Sequence, residues 1–211
     1  MAGLSIWIAV GVISVAGIET PKYEVISEHD GYEVRQYAPH IVAEVTMNGE
    51  FRDAMNGGFR KLADYIFGNN TKVTGDAAAG SENIEMTAPV LEREVRSEKI
   101  EMTAPVLEQQ NTPDARVVAF VMPDKYTIDT LPKPNNPDVK IVEVPAKRYA
   151  AIRFSGSVTD AKAAEKKQQL LEALKRDKIE TVGAPLLAQY NPPWTPPPMR
   201  RNEVMVEIVP E

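Results

Sequence analysis

The sequence predicts an α+β fold: a mostly antiparallel sheet with two main helices, assembled as a pseudo-twofold repeat of a ββα-plus-strands unit. Three observations carry this prediction. Residues 32–49 (YEVRQYAPHIVAEVTMNG) and 139–156 (VKIVEVPAKRYAAIRFSG) share one plan of strand, short proline-containing turn, strand and glycine. Each is followed by a stretch whose apolar residues recur at helical spacing, as in a helix with one buried face. A twelve-residue phrase also stands twice in tandem, SENIEMTAPVLE at 81–92 and SEKIEMTAPVLE at 97–108, differing only at Asn83 and Lys99.

Taken in chain order, the first feature is residues 4–18 (LSIWIAVGVISVAGI), which carry no charge. A spanning helix needs roughly 20 apolar residues, and this run is shorter. Ser14-Val15-Ala16 fits a small-x-small cleavage site, although no Lys or Arg precedes the run. Residues 1–19 are therefore expected to be a signal peptide or an N-terminal membrane anchor, with a buried N-terminal element as the alternative. The folded domain is expected over 20–211, in a protein exported to the periplasm or anchored facing outside the cytoplasm.

In the first unit Ile41, Ala43 and Val45 share one strand face and Val42 and Glu44 the other. In the second, Tyr149, Ala151 and Arg153 alternate with Ala150, Ile152 and Phe154. Aligning Gly49 with Gly156 pairs Val42 with Tyr149 and Ala43 with Ala150. The first helix is expected to run to Phe67, with Phe51, Met55, Phe59, Leu62 and Ile66 as its stripe and Gly68 as its C-terminal cap. Gly57-Gly58 weakens it by about 1 kcal/mol per glycine relative to alanine, and points to close backbone approach or to a tolerated defect. The second helix is expected from an N-cap at Ser157 or Thr159 to about Lys178. Its stripe is read as Ala161, Ala164, Leu171 and Leu174, with Lys175, Arg176 and Lys178 suiting the C-terminal dipole.

Behind the helices, strands are expected in both copies of the phrase, at 117–122, at 185–190 and at 204–209. Each phrase copy reads as a short strand limited by Pro89 or Pro105, which lack an N–H for the ladder. The tandem pair reads as a local insertion on the older twofold plan. A linker over 123–137 carries four prolines. Each half would leave an apolar sheet face uncovered, so the two should close on one another into one domain.

Composition narrows the functions. The net charge is −6 with a pI near 5.2, which argues against nucleic acid as a main partner. There are no cysteines, so disulfides, zinc-thiolate sites, thioether heme attachment and lipoprotein acylation are excluded. Both histidines, His29 and His40, lie in one short N-terminal stretch, so no Ser-His-Asp arrangement is expected. Neither a nucleophile elbow nor an HExxH pattern occurs.

MTAPV at 86–90 and again at 102–106, YEVRQYAP at 32–39 and YNPPWTPPPMRRNEVMVEI at 190–208 together resemble the SOUL heme-binding protein family. The resemblance extends over about residues 21–209. It implies a distorted, barrel-like α+β fold from a pseudo-twofold repeat. It also implies non-covalent binding of heme or a related tetrapyrrole in an apolar groove, as a carrier or buffer rather than an enzyme. His40 is the candidate axial ligand to the iron, the alternative being a partly exposed turn histidine. Met86 and Met102, at matching places in the phrase, are candidate pocket wall or ligand, with core packing as the alternative. Met55, Phe59 and Leu62 would line a groove or simply face the core. Trp194 would stack on a flat ring or cap the core. Arg200 and Arg201 would pair with propionates, or one of them with Glu203.

Burying about 300 Å² of ring contributes about 7 kcal/mol before association costs, so low, micromolar affinity is expected. Three other readings stand beside this one. The groove would take another amphipathic small molecule; a groove glutamate (Glu203, Glu85 or Glu101) would act as a hydrolytic base; or residues 192–198 would form a polyproline II ligand.

Overall fold

The computed structural model of the chain describes residues 18–73, 80–95, 115–192 and 194–210. The expectations placed on residues 1–17, on the second phrase copy, and on Glu101 and Met102 lie outside these. The strands are β1 (Tyr23–His29), β2 (Tyr32–Tyr37), β3 (His40–Asn48), β4 (Asn70–Thr71), β5 (Val90–Glu94), β6 (Ala115–Val121), β7 (Lys133–Pro134), β8 (Lys140–Val144), β9 (Lys147–Phe154), β10 (Thr181–Gln189) and β11 (Asn202–Ile208). The helices are α1 (Phe51–Ile66) and α2 (Asp160–Arg176).

Nine strands form one antiparallel sheet in the order β1-β2-β9-β11-β10-β5-β6-β3-β8, while β4 and β7 pair separately. Exchanging β2 with β8, β3 with β9, β5 with β10 and β6 with β11 maps the order from β2 to β8 onto itself. The twofold repeat read in the sequence is thus the symmetry of the sheet, with its axis between β5 and β10. The sheet is not closed into a barrel, for β1 and β8 are free edges among the described residues. It does curl. Ala38-Pro39 joins β2 to β3 and Pro145-Ala146 joins β8 to β9, yet the joined strands stand far apart in the strand order. Such links reach about 11 Å at most, so both ends of the sheet are drawn together.

Strand alternation sends half of each strand toward the helices. α1 packs on β3 and β6, and α2 on β9, β10 and β11. Ala43 and Ala150, the matched pair, are both fully buried beneath them. The matched Gly49 and Gly156 both take positive φ, 107° and 103°, a conformation that costs glycine nothing. Thr159, not Ser157, caps α2, its hydroxyl accepting the Lys162 N–H at 3.2 Å. The buried residues of α2 are Ala163, Leu170 and Leu174, so the expected stripe was rotated: Ala161 and Ala164 are exposed. Alanine is too small to orient a helix, and the leucines decide the face. Between the cores under the two helices, Glu92 of β5 is fully buried, with Arg116 at 2.9 Å and Lys167 at 3.5 Å.

Two strand expectations change. In the first phrase copy the strand begins only at Val90, and residues 81–89 are irregular. Pro89 cannot donate, and the polar groups before it are satisfied elsewhere. The Thr87 hydroxyl donates to the Val121 carbonyl and the Ala88 N–H to Glu19 at 2.9 Å. β10 starts earlier than expected, at Thr181, because a register shift between Val182 and Leu186 absorbs Pro185 in a bulge. At the N-terminus, Ile18 packs against the cluster of Tyr37, Ala88, Ala188 and Tyr190. No helix among the described residues is long and apolar enough to cross a membrane.

The glycine pair of α1 separates into two cases. A Cβ on Gly58 would lie 2.7 Å from Val118 Cβ, and one on Gly57 would lie 2.6 Å from Met47 Cε, the free end of a flexible chain. Gly58→Ala is expected to destabilise by about 1–3 kcal/mol through overpacking. Gly57→Ala is expected to be neutral or to stabilise by up to about 1 kcal/mol through helix propensity. Urea midpoints of the two variants check this contrast.

Candidate functional site

The sheet face away from the helices carries a groove of about 340 Å³, lined by residues of seven strands and bordered by the β10 bulge. Its apolar lining includes Val42, Leu91, Ala119, Val142, Tyr149 and Leu186. Val42 and Tyr149 are the residues matched across the two units, so both halves contribute the same register position. Burial pushes the Tyr149 phenol up to about 12, which keeps this wall neutral near pH 7. Two ion pairs stand on the lining, Lys147 with Glu207 at 2.6 Å and Arg93 with Glu44 at 3.6 Å.

His40 opens β3 and lines this groove as well as a neighbouring cleft of about 540 Å³ beside Met122, Tyr126 and Pro145. Its Nδ1 lies 2.9 Å from the Ala38 carbonyl oxygen. A carbonyl only accepts, so Nδ1 carries a proton, and in the neutral ring the lone pair is then on Nε2. That is how a second partner orients an imidazole that binds a metal. The donor chemistry at this position therefore fits an iron porphyrin held by one axial histidine.

The other half of the same face is closed by a buried ionic network. Glu203 of β11 has no exposed surface. Arg35 Nη1 donates to it at 2.7 Å, Arg201 Nε at 2.9 Å and the Tyr190 hydroxyl at 3.0 Å. Arg201 also lies over the Tyr190 ring, 3.9 Å from its centroid, and Arg35 over Tyr23 at 4.6 Å. Burial drives the Glu203 carboxyl upward, but the hydrogen bonds and charges of Arg35 and Arg201 outweigh it and hold it below its usual range. Burial pushes the neighbouring Tyr37 phenol up to about 12.

This geometry sorts the residues named from sequence. Arg201 belongs to the Glu203 pair and not to the groove. Arg200 donates to the Thr195 carbonyl at 2.8 Å and ties down the proline-rich loop. Trp194 is 83% exposed and caps no core. Met55, Phe59 and Leu62 pack in the cores under α1, on the sheet face opposite the groove, with Phe59 edge-on to Phe120 at 5.3 Å. Met86 is exposed before β5. Only His40 of the described candidates lines the groove.

The hydrolytic readings find little support in the geometry. Glu203 is ionised and enclosed, the opposite of a base raised by burial, and Glu85 is exposed beside Lys125. Ser27 Oγ does lie 2.9 Å from His29 Nε2, a contact the sequence spacing did not suggest. His29 Nδ1, however, stands 4.0 Å from Asp177, too far for a hydrogen bond, and Asp177 already accepts from Tyr32 at 2.7 Å. No group of three or more metal-ligating side chains occurs among the described residues.

Sequence reasoning missed Arg93, Lys147, Leu91, Leu186 and Tyr149 as groove residues. The signal was present in the alternation of the strands: whichever residues do not face a helix face the groove.

A family model described as SOUL heme-binding protein matches residues 18–207. No curated protein sequence matches the chain. Among solved structures the chain is similar to the C-terminal domain of EcmrR, with a TM-score of 0.54 and 12% identity over 85% of this chain and 98% of that one. It is similar to EcmrR in a complex with DNA, with a TM-score of 0.56 and 11% identity over 85% of this chain and 58% of that one. A hydrolase from Listeria innocua gives a TM-score of 0.51 and 10% identity over 87% of this chain and 94% of that one. At such identities the likeness is one of fold.

Glu203→Gln leaves Arg201 without its counter-charge and Arg35 with Glu33 alone, at 2.8 Å, and removing one partner of a buried pair costs on the order of 3–5 kcal/mol. The urea midpoint at pH 7 is expected to fall accordingly. The folded carboxyl value is depressed, so its stabilisation is complete above the unfolded value of 4.5 and is lost as pH falls through the lower folded value. Urea midpoints are therefore expected to fall more steeply in acid for the native chain than for Glu203→Gln; parallel curves would refute the assignment.

Proposed function

The chain belongs to the SOUL heme-binding protein family, and on that premise we propose that it binds heme or a related tetrapyrrole, non-covalently and without catalysis, in the groove on the helix-free sheet face. The observation that carries this reading is the His40 ring at the groove, with its Nε2 lone pair left available by the Nδ1 bond to Ala38. The apolar lining would take the porphyrin face by contact. Nε2 would supply an axial bond, and Lys147 and Arg93 would meet the propionates. Each of those cations already holds a carboxylate, Glu207 or Glu44. A propionate would have to displace that partner, so the gain per contact is small and the affinity moderate. Moderate affinity suits a carrier or buffer that takes up and releases its ligand. The uncharged run at residues 4–18 supports the further proposal that it does so outside the cytoplasm or at a membrane surface.

Hemin titrated into the chain is expected to shift its Soret band and to saturate near one equivalent; a signal that never saturates would refute specific binding. His40→Ala is expected to alter the Soret position and weaken hemin by about tenfold, about 1.4 kcal/mol. It should leave metal-free protoporphyrin unaffected, because only iron needs Nε2. Lys147→Ala is expected to weaken hemin severalfold but not its dimethyl ester, as read from paired titrations.

A further inference from the structure

Beyond the C-terminal end of α2 the helix side of the sheet opens into a cleft of about 510 Å³, within the roughly 300–1,000 Å³ that small-molecule sites occupy. Its floor is Val34 of β2 and Ile208 of β11, buried members of the core under α2. Ile26, Ile179 and Val209 extend the apolar lining, and Ile26 and Val209 are 47% and 45% exposed. Arg148 of β9 and Lys178, just past α2, line the same cleft. It shares no described residue with the His40 groove, which lies on the opposite face of the sheet.

The twofold plan shows how this place differs from its counterpart. The register that matches Ala43 with Ala150 sets Ile41 against Arg148, Ile141 against Val34 and Met122 against Ile208. In the first unit Ile41, Ile141 and Met122 pack with Tyr126, Leu131 and Val139 of the segment that follows β6. In the second unit Val209 and Pro210 follow β11 and line the cleft, and an arginine stands where the first unit has isoleucine.

The two helix ends differ in the same sense. Both close with the same turn: the N–H groups of Gly68 and Asn69 donate to Tyr65 and Asp64, and those of Lys178 and Ile179 to Lys175 and Leu174. The turn holds its first residue at positive φ, 121° for Gly68 and 59° for Lys178. Among the described residues every other positive-φ position is glycine. The left-handed conformation disfavours a lysine, so position 178 keeps its side chain against the preference of its backbone. Among the described residues neither Lys178 nor Arg148 forms an ion pair; Arg148 donates to the Gln36 amide oxygen at 3.2 Å. Glu180 is the one carboxylate among the described lining residues, so with His29 neutral the lining keeps one positive charge in excess, in a chain whose net charge is −6.

We propose that this cleft is a second ligand site, for a free single-chain amphiphile whose anionic head is a carboxylate or a phosphate monoester. The chain lies on Val34, Ile179 and Ile208, where burial of apolar surface supplies most of the affinity. The head meets Lys178 and Arg148, whose charges no carboxylate has to release, and these select its sign. The site does not depend on the tetrapyrrole reading of the groove.

Dodecanoate and dodecyl phosphate, each below its micellar concentration, titrated calorimetrically into the full-length chain test this. At least one is expected to saturate near one equivalent, with and without hemin present, and the comparison identifies the preferred head. Dodecyltrimethylammonium is expected to bind at least about tenfold more weakly. In Lys178→Gly the urea midpoint is expected to hold or rise, because glycine suits the turn, while the anionic amphiphile weakens by about tenfold and hemin is unaffected. Arg148→Ile, which installs the residue of the first unit, is expected to weaken it severalfold. Failure of both anions to saturate, equal binding of the ammonium, or unchanged binding in both variants would overturn the site. Displacement by hemin would place the amphiphile in the groove and overturn it equally. Should hemin not bind at all, the proposed function fails while these titrations still decide the cleft.

Discussion

The curl of the sheet is the constraint on which the rest depends. Ala38-Pro39 and Pro145-Ala146 each carry the chain between strands that stand far apart in the strand order. A link this short leaves the sheet no freedom to lie flat. Proline enforces the break, since it offers no N–H to continue the ladder and disfavours helical geometry in the residue before it. Curling makes the two faces of the sheet unlike. Two amphipathic helices cover one face, and the other turns toward itself and encloses a groove.

The twofold plan is broken on the helix-free face of the sheet. On the helix-free face one half is filled by the Arg35–Glu203–Arg201 network, its tyrosines and Ile18, while the other half stays open as the groove. Burying a carboxylate with two guanidiniums is costly unless every partner is present. Here the carboxylate accepts from both arginines and Tyr190, so the network is held together and specifies one arrangement of β2, β10 and β11. A second buried carboxylate, Glu92, plays the matching part on the helix face. An apolar groove beside a satisfied ionic core can stay open without the fold depending on its contents.

Several elements were legible because local chemistry dictates them. The matched units with their glycines follow from spacing, and close approach was one of the two readings of Gly57-Gly58, which the structure assigns to Gly58. The SOUL motifs identified the family, and the fold they imply agrees with the strand order. The site was less legible. Arg201 pairs with Glu203, as one reading of its spacing allowed, and is thereby removed from the groove. Met55, Phe59 and Leu62 were read as groove or core, and the helix stripe alone cannot say which. Nothing in their local sequence set Arg93 and Lys147 apart as groove residues.

By itself the sequence determined the class of fold, its internal repeat, the family, and the absence of thiol chemistry, because periodicity, glycine placement and composition are local properties of the chain. Tertiary structure alone decided which sheet face is covered and which is open. It also decided that His40 lines the groove with its Nδ1 held by the Ala38 carbonyl, and that one glutamate is buried between two arginines. The physical reason is that a strand's alternation defines two faces without naming them. Only the packing of α1 and α2, 16 and 17 residues long, tells which face is core and which is site.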